Sequence, residues 1–183
     1  MWCMCLRSIL VGGALLLAGC AATVNRGEPG QAPVVVSKAA QGKIVMLVKG
    51  SDEISRSRDW NEFRAEWKTA MEAAAAGAGM GFAFVDQEPA AHNDSGTLVV
   101  VDINDYRYLS AGARLMLGIL VGNAYIDAKA AYFELPERRA FAERKYNTSS
   151  SAWQGIFSAM TAKQIAAICA EIVGELGRAS PRT

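Results

Sequence analysis

The sequence predicts an α+β protein: a two-layer sandwich in which a mixed, mainly antiparallel sheet of about five strands carries two helices on one face. Short apolar runs such as Lys43–Lys49 are typical of buried strands. Alternating runs such as Asn123–Leu135 indicate strands with one solvated face. Apolar residues at helical spacing in Asp59–Ala76 and Ser151–Leu176 predict two amphipathic helices.

The first helix is predicted to follow the strand Lys43–Lys49 after a polar loop. Asp59 is an expected N-cap, and Glu62 three residues later completes a capping-box pattern. The helix should end in the glycine-rich stretch Gly77–Gly81 and lead into a second short strand, Phe82–Val85. Its apolar stripe consists of Phe63, Trp67, Ala70, Met71 and Ala74.

The longest predicted strand is Thr97–Tyr108, which is apolar on both faces in its first half. Strict alternation in the second half places Ile103 on one face and Asp102, Asn104 and Tyr106 on the other. Asp102 and Asp105, three residues apart, are then expected on opposite faces, which counts against a catalytic or sugar-binding carboxylate pair.

The predicted hairpin joins Asn123–Leu135 to Ala140–Asn147 through a turn at Pro136–Arg139. In its first strand, one face is expected to carry Ile126, Ala128, Ala130 and Tyr132. The second helix should then end at Gly177, ahead of a short frayed tail.

The stretch Ala111–Gly122 is apolar but too short to cross a bilayer. It is either a connector folded against the core or an exposed surface for a partner or for lipid head groups. A packing meaning for its Gly118-x-x-x-Gly122 spacing would need a membrane-spanning helix.

The first nineteen residues are typical of a secretory signal. A single charge, Arg7, precedes an apolar run from Ile9 to Leu17 that is about half the length of a spanning helix. The run ends in Leu17-Ala18-Gly19-Cys20, which resembles the lipobox of bacterial lipoproteins. A plain signal peptide is the alternative, but it leaves Cys20 without a role.

The lipobox resemblance implies cleavage before Cys20 and attachment of acyl chains such as palmitate to that residue. In lipoproteins of this type, an Asp directly after the lipidated Cys tends to retain the protein in the inner membrane. This chain has Ala21 at that position, so the resemblance implies the periplasmic face of the outer membrane. The expected organisation is a signal peptide (1–19), a flexible tether (20–41), one globular domain (42–178) and a disordered tail (179–183).

The charge balance argues against nucleic acid as a partner, and the cysteine content indicates how many thiols the folded domain contains. The 183-residue chain has 19 basic and 18 acidic residues, and removing Arg7 with the signal leaves 18 of each. A neutral chain has no long-range attraction for nucleic acid, so none is expected as a partner. Of the four cysteines, only Cys169 is left for the folded domain, where its apolar helical setting predicts a buried structural thiol.

No cofactor, metal or catalytic residues are predicted. His92, the only histidine, lies in a turn-rich stretch and is expected to be solvated. The acidic cluster around it fits no standard metal-binding spacing; it consists of Asp86, Glu88, His92 and Asp94.

Aromatic residues and Arg at the ends of strands are the remaining candidates for partner binding, and the alternative is that they are ordinary strand residues: Tyr106, Arg107, Tyr108 and Tyr125. The leading hypothesis is a non-enzymatic, membrane-anchored protein that binds a protein partner in the envelope. One alternative is an accessory subunit of an envelope transport or secretion assembly. A hydrolase of peptidoglycan or lipid is the third, and it requires a solvent-accessible polar cluster in a pocket.

The segment from Gly96 to Leu176 also resembles a domain-of-unknown-function family of small bacterial lipoproteins. The shared features are a strand with Asp102, Asp105 and Tyr106, a Gly112-Ala113-Arg114 and Leu117-Gly118 segment, Gly122, a hairpin and a C-terminal helix. The hairpin turn, Glu134–Arg139, departs from the family's Asp and Thr-Gly pattern. The resemblance implies a small envelope domain and assigns no catalytic residue.

Overall fold

The computed structural model describes residues 24–26, 34–88, 94–108, 124–149 and 160–181. The strands are β1 (Val24–Arg26), β2 (Val35–Val36), β3 (Lys43–Gly50), β4 (Gly81–Val85), β5 (Gly96–Arg107), β6 (Tyr125–Leu135), β7 (Arg139–Ser149) and β8 (Ser180–Pro181). The helices are α1 (Asp52–Ser55), α2 (Trp60–Gly77) and α3 (Met160–Arg178), with a 3₁₀ turn at Ala40–Gly42.

Six strands form one open mixed sheet in the order β1-β7-β6-β5-β3-β4. The pairs β1–β7, β7–β6 and β6–β5 are antiparallel, whereas β5–β3 and β3–β4 are parallel. Five strands are long and β1 has three residues. The predicted α+β class, with a mainly antiparallel sheet of about five strands, is therefore confirmed.

Helices α2 and α3 cover one face of this sheet, which we call the inner face. Alternate residues of β3, Ile44, Met46 and Val48, point into the same core as Phe63 and Trp67 of α2. The predicted stripe of α2 is confirmed at Phe63, Trp67 and Met71, which are fully buried. Helix α2 ends where Gly79 takes a positive φ of 70°, a conformation that glycine adopts without steric cost.

The opposite side, the outer face, has a smaller apolar cluster at one end. Val45, Leu47, Leu98 and Val100 belong to it, which explains why β3 and β5 are apolar on both faces. Because β4 and β5 are both parallel to β3, the end of β4 and the start of β5 lie at opposite ends of the sheet. Glu88, three residues after β4, lines a depression on the outer face.

Strand β5 contains a bulge that changes the predicted alternation. Ile103 pairs with Ala128, but Asp105 pairs with Asp127, so Asn104 is an extra residue opposite β6. Tyr106 therefore returns to the inner face with Ile103, where it packs against the main core. The prediction that Tyr106 shares a face with Asp102 and Asn104 is wrong, because an extra residue inverts a period-two pattern.

Parts of both predicted flexible ends are instead ordered by long-range contacts. Val24–Arg26, within the expected tether 20–41, pairs antiparallel with β7. Val35–Val36 pairs with Ser180–Pro181, a segment that the sequence places in a disordered tail. The Gln41 side chain donates a hydrogen bond of 2.7 Å to the Ala179 carbonyl, which links the same two segments. Gly and Pro content predicts local flexibility, but it carries no information about pairing with segments far away in the chain.

Smaller differences concern the helices. The predicted polar loop after β3 contains α1, whose N-cap Ser51 accepts a hydrogen bond from the Ile54 amide at 3.2 Å. Of the predicted helix Ser151–Leu176, the structure describes the part from Met160 onward. Four sequence features lie outside the described residues: the Leu17–Cys20 motif, His92, the Ala111–Gly122 stretch and residues 150–159. No helix among the described residues is long and apolar enough to cross a bilayer.

A buried polar network joins α3 to the sheet. Arg144 on β7 donates to both carboxylate oxygens of Glu175 on α3, at 3.0 and 3.1 Å, and both side chains are nearly buried. The hydroxyls of Tyr132 and Tyr146 lie 2.8 Å apart in the adjoining core. Burial raises the pKa of both tyrosines, so both are neutral at physiological pH.

We predict that Arg144→Met lowers the free energy of unfolding by about 3–5 kcal/mol, because it leaves the Glu175 carboxylate buried without its partner. Lys129→Met is the matched control: it removes an exposed ion pair with Glu143 of 2.8 Å, and such pairs contribute at most about 1 kcal/mol. Urea denaturation measures both. Equal losses of unfolding free energy in the two variants would contradict a stabilising role for the Arg144–Glu175 pair.

Candidate functional site

The topology marks one end of the parallel strands as a candidate site. From β3 the chain passes through α2 to β4 on one side, and then returns to β5 on the other side of β3. In open α/β sheets, ligands bind outside the carboxyl ends of the strands where the strand order reverses in this way. In this sheet that place is the carboxyl ends of β3 and β5.

An open cavity of about 360 Å³ lies at that place. We call it the crevice and define it by its lining residues: Ser51, Glu53, Ile54, Ser57 and Asp59 of the connection from β3 to α2, and Asn104–Tyr106 of β5. Most of these side chains are polar, so the crevice is suited to a polar ligand.

Tyr106 lines the crevice, and its ring and hydroxyl are both held by neighbouring side chains. Its ring stacks on Phe63 with 4.1 Å between the ring centroids, and its hydroxyl donates to Asp59 Oδ1 at 2.7 Å. The Tyr106 hydroxyl has one proton, so Ser57 Oγ is the donor in their 2.6 Å contact. Burial raises the pKa of Tyr106 to about 12; Ser57 opposes that shift and Asp59 adds to it.

Asp59 has a different role from the predicted one. It occupies the N-cap position of α2, but its side chain makes no capping hydrogen bond. The carboxylate accepts the Tyr106 hydroxyl instead. The bulge at Asn104 is the cause, because it turns Tyr106 toward the start of α2.

The crevice provides hydrogen-bond acceptors rather than an activated nucleophile. The Ser57 hydroxyl donates a hydrogen bond to the neutral Tyr106 hydroxyl, and a neutral tyrosine is a poor general base at physiological pH. Glu53, Asp59 and Asp105 contribute three carboxylates to the lining of the crevice. This chemistry suits a ligand that presents hydroxyl, amide or ammonium groups.

The structure separates the acidic residues that the sequence grouped together. Three of them lie 2.5–2.9 Å from different cations, in the pairs Asp86–Arg64, Glu88–Arg138 and Asp94–Lys43. Within the described parts of the chain, no three His, Cys, Asp or Glu side chains are placed to hold a metal ion. Cys169 is fully buried, and desolvation raises the pKa of its thiol.

The four predicted binding residues are divided between the two faces. Tyr106 and Tyr108 pack against the core of the inner face, and Tyr108 donates to Glu66 Oε1 at 2.8 Å. Tyr125 donates to Asp105 at 3.0 Å and pairs across the strands with exposed Arg107. All four lie at the end of the sheet that holds the crevice.

The bulge also corrects the prediction for the two aspartates. Asp102 pairs with Lys129, and Asp105 pairs with Asp127. Lys129 and Asp127 are two residues apart on β6 and so share its outer face, and both aspartates therefore lie on the outer face as well. They have separate partners: Lys49 Nζ lies 3.5 Å from Asp102, and Tyr125 donates to Asp105. The two carboxylates therefore share no binding partner among these contacts.

Sequence reasoning missed Ser57 and Asn104. Ser57 lies in a polar loop with no distinguishing spacing, and the bulge at Asn104 has no glycine to mark it. A signal was present in the Asp-rich strand end, where a hydrophilic residue interrupts the alternation before Tyr106.

No family model matches the sequence, and no curated protein sequence matches it. By fold, the chain is similar to the PelC dodecamer from Paraburkholderia phytofirmans: the two are 10% identical, the match covers 87% of this chain and 99% of that chain, and the TM-score is 0.51. It is also similar to protein XCC0632 from Xanthomonas campestris, described as DUF330, with 13% identity, 78% and 88% coverage and a TM-score of 0.45.

The comparison with PelC shows that this chain has a similar α+β fold. Its neighbours in structure include a protein of a domain-of-unknown-function family. At 10% identity the match to PelC shows the fold alone.

We predict that Glu66→Gln stabilises the protein at pH 7 by about 0.5 kcal/mol, the size of a like-charge i, i+4 repulsion. Desolvation raises the pKa of Glu66, the hydrogen bond from Tyr108 opposes this, and the Glu62 charge adds to it. Because the pKa of Glu66 is raised in the folded protein, ionisation of this side chain lowers the free energy of unfolding. This loss of stability is absent at a pH below the ordinary pKa of about 4.3. It develops as the pH rises from that value through the raised pKa.

Urea midpoints of the wild type and of Glu66→Gln should therefore converge at pH 3.5 and diverge at pH 7. The exposed Glu72→Gln on the same helix is the control and should show no such divergence. A Glu66→Gln variant that is less stable at pH 7 would show that the carboxylate is favourably placed.

Proposed function

We propose that this protein is a lipid-anchored lipoprotein on the periplasmic face of the outer membrane, and that it binds an envelope partner without catalysing a reaction. The observation that supports binding is the crevice. Its hydroxyls are held in place by Asp59 and the stack on Phe63, so little side-chain freedom is lost when a ligand binds.

The chemistry of the crevice indicates the kind of group that it takes. Asp59 uses Oδ1 to hold Tyr106, while Glu53 and Asp105 are exposed at the opening. Carboxylates at an accessible rim accept hydrogen bonds from ammonium, guanidinium and hydroxyl groups. A protein segment with basic side chains is the partner that this arrangement favours.

Support for the anchor comes from the sequence. The Leu17-Ala18-Gly19-Cys20 motif follows a short apolar run, and several acyl chains on one residue hold a protein firmly on a membrane. The proposed acyl attachment at Cys20 gives that residue a role that a plain signal peptide does not.

A second candidate function is a subunit of an envelope transport or secretion assembly. The protein of similar fold, PelC, is described as a dodecamer. In this chain the edge strand β4 has the uncharged sequence Gly81-Phe82-Ala83-Phe84-Val85 and pairs with β3 alone among the described strands. An uncharged edge is suited to pairing with another chain. A ring seen by mass photometry of the purified protein would support this role, and a monomer would oppose it.

The test of the proposed function is crosslinking of the full chain in intact envelopes, followed by membrane fractionation. Wild type should be recovered with the membrane and with a crosslinked partner, and Cys20→Ala should be recovered as soluble protein. Asp105→Asn should reduce the crosslinked partner several-fold, because it removes a rim carboxylate.

Glu137→Gln is the matched control, since Glu137 is an exposed carboxylate at the far hairpin. Equal partner yield in Asp105→Asn, Glu137→Gln and wild type would exclude the crevice as the binding site. Identical fractionation of wild type and Cys20→Ala would exclude the lipid anchor.

A further inference from the structure

Strand β1 fixes where the start of the folded domain lies. Val24 pairs with Thr148, Thr148 pairs with Ile126, and Ile126 pairs with Tyr106. These four residues form a row across β1, β7, β6 and β5. The row lies at the end of the sheet where Tyr106 lines the crevice.

Only four residue steps separate Val24 from Cys20. A fully extended chain of that length reaches about 14 Å. Val24 also packs against the main core, so β1 is part of the folded domain rather than a free linker. Cys20, which would carry the lipid, therefore lies within about 14 Å of Val24, the member of this row on β1.

The opposite end of the sheet is much farther from Cys20. Leu135, the last residue of β6, pairs with Gly96, the first residue of β5. Strand β6 runs from Ile126 to Leu135, which corresponds to about 30 Å of strand. The hairpin turn that contains Glu137 lies beyond that point.

We infer that the domain sits on the membrane with the crevice end toward the bilayer and the Glu137 hairpin toward the periplasm, so that the surface at the carboxyl ends of β3 and β5 faces lipid. This orientation rests on the proposed lipid at Cys20.

The side chains at this end are consistent with contact at a membrane surface. Arg58 and Arg107 are exposed and Tyr125 is half-buried, and Tyr and Arg are residue types found at membrane interfaces. Asp105 and Asp127 lie opposite each other on the same end, so the end is not a basic patch. The anchor rather than charge sets the orientation, and high salt should leave it unchanged.

The orientation restricts what reaches the crevice. A ligand must enter through the layer between the domain and the bilayer, so a partner bound in the crevice lies beside that membrane. Its basic segment would lie close to the lipid head groups.

The test compares labels at the two ends of the full chain in vesicles. Arg107→Cys and Glu137→Cys, both at exposed positions, receive a fluorescent thiol label. Cys169 is fully buried with a raised thiol pKa, so it reacts slowly. The purified lipidated chains are placed in phosphatidylethanolamine–phosphatidylglycerol vesicles that contain a lipid with a nitroxide on its head group.

The label on Arg107→Cys should be quenched several-fold more than that on Glu137→Cys, in low and in high salt. Equal quenching, or stronger quenching at Glu137→Cys, would overturn the orientation while leaving the anchor intact. Arg58→Cys gives an independent position at the near end, and its label should behave like that on Arg107→Cys. Failure of the chain to associate with vesicles would overturn the proposed anchor and the orientation together.

Discussion

The bulge at Asn104 is the local feature on which the crevice depends. One extra residue in β5 inverts the alternation after Ile103 and turns Tyr106 toward the helices. There Tyr106 stacks on Phe63 and binds Asp59 at the start of α2, which ties the carboxyl end of the sheet to the helix layer. The same extra residue moves Asp105 to the outer face, where Tyr125 binds it. A regular strand would leave Tyr106 on the outer face and Asp59 without its donor.

The two halves of the sheet have separate roles. The parallel half, β4-β3-β5, reverses its strand order and so creates a crevice outside the strand ends. The antiparallel half, β5-β6-β7-β1, connects that end to the beginning of the folded domain through one row of paired residues. The buried Arg144–Glu175 pair fixes α3 against this half. The topology therefore brings the crevice and the start of β1 to the same end of the sheet.

The sequence predicts the long elements because their patterns are local. The stripe of Phe63, Trp67 and Met71 defines α2, and the alternation through Ile126, Ala128 and Tyr132 defines β6. Strands β1, β2 and β8 depend on partners more than 100 residues away in the chain, so composition alone places them in a tether and a tail. The crevice is missed for a similar reason: Ser57 and Asp59 meet Tyr106 only after the bulge has formed.

The orientation of the Tyr106 ring tests this account most directly. Nuclear Overhauser contacts between the Tyr106 and Phe63 rings are expected, since the ring centroids lie 4.1 Å apart. The same spectrum reports the outer face through the ring of Tyr125, which a regular β5 would place directly opposite Tyr106. Strong contacts from the Tyr106 ring to Phe63 and none to the Tyr125 ring are the predicted result. Contacts from the Tyr106 ring to the Tyr125 ring with none to Phe63 would mean that β5 is regular, and the crevice as described would not exist.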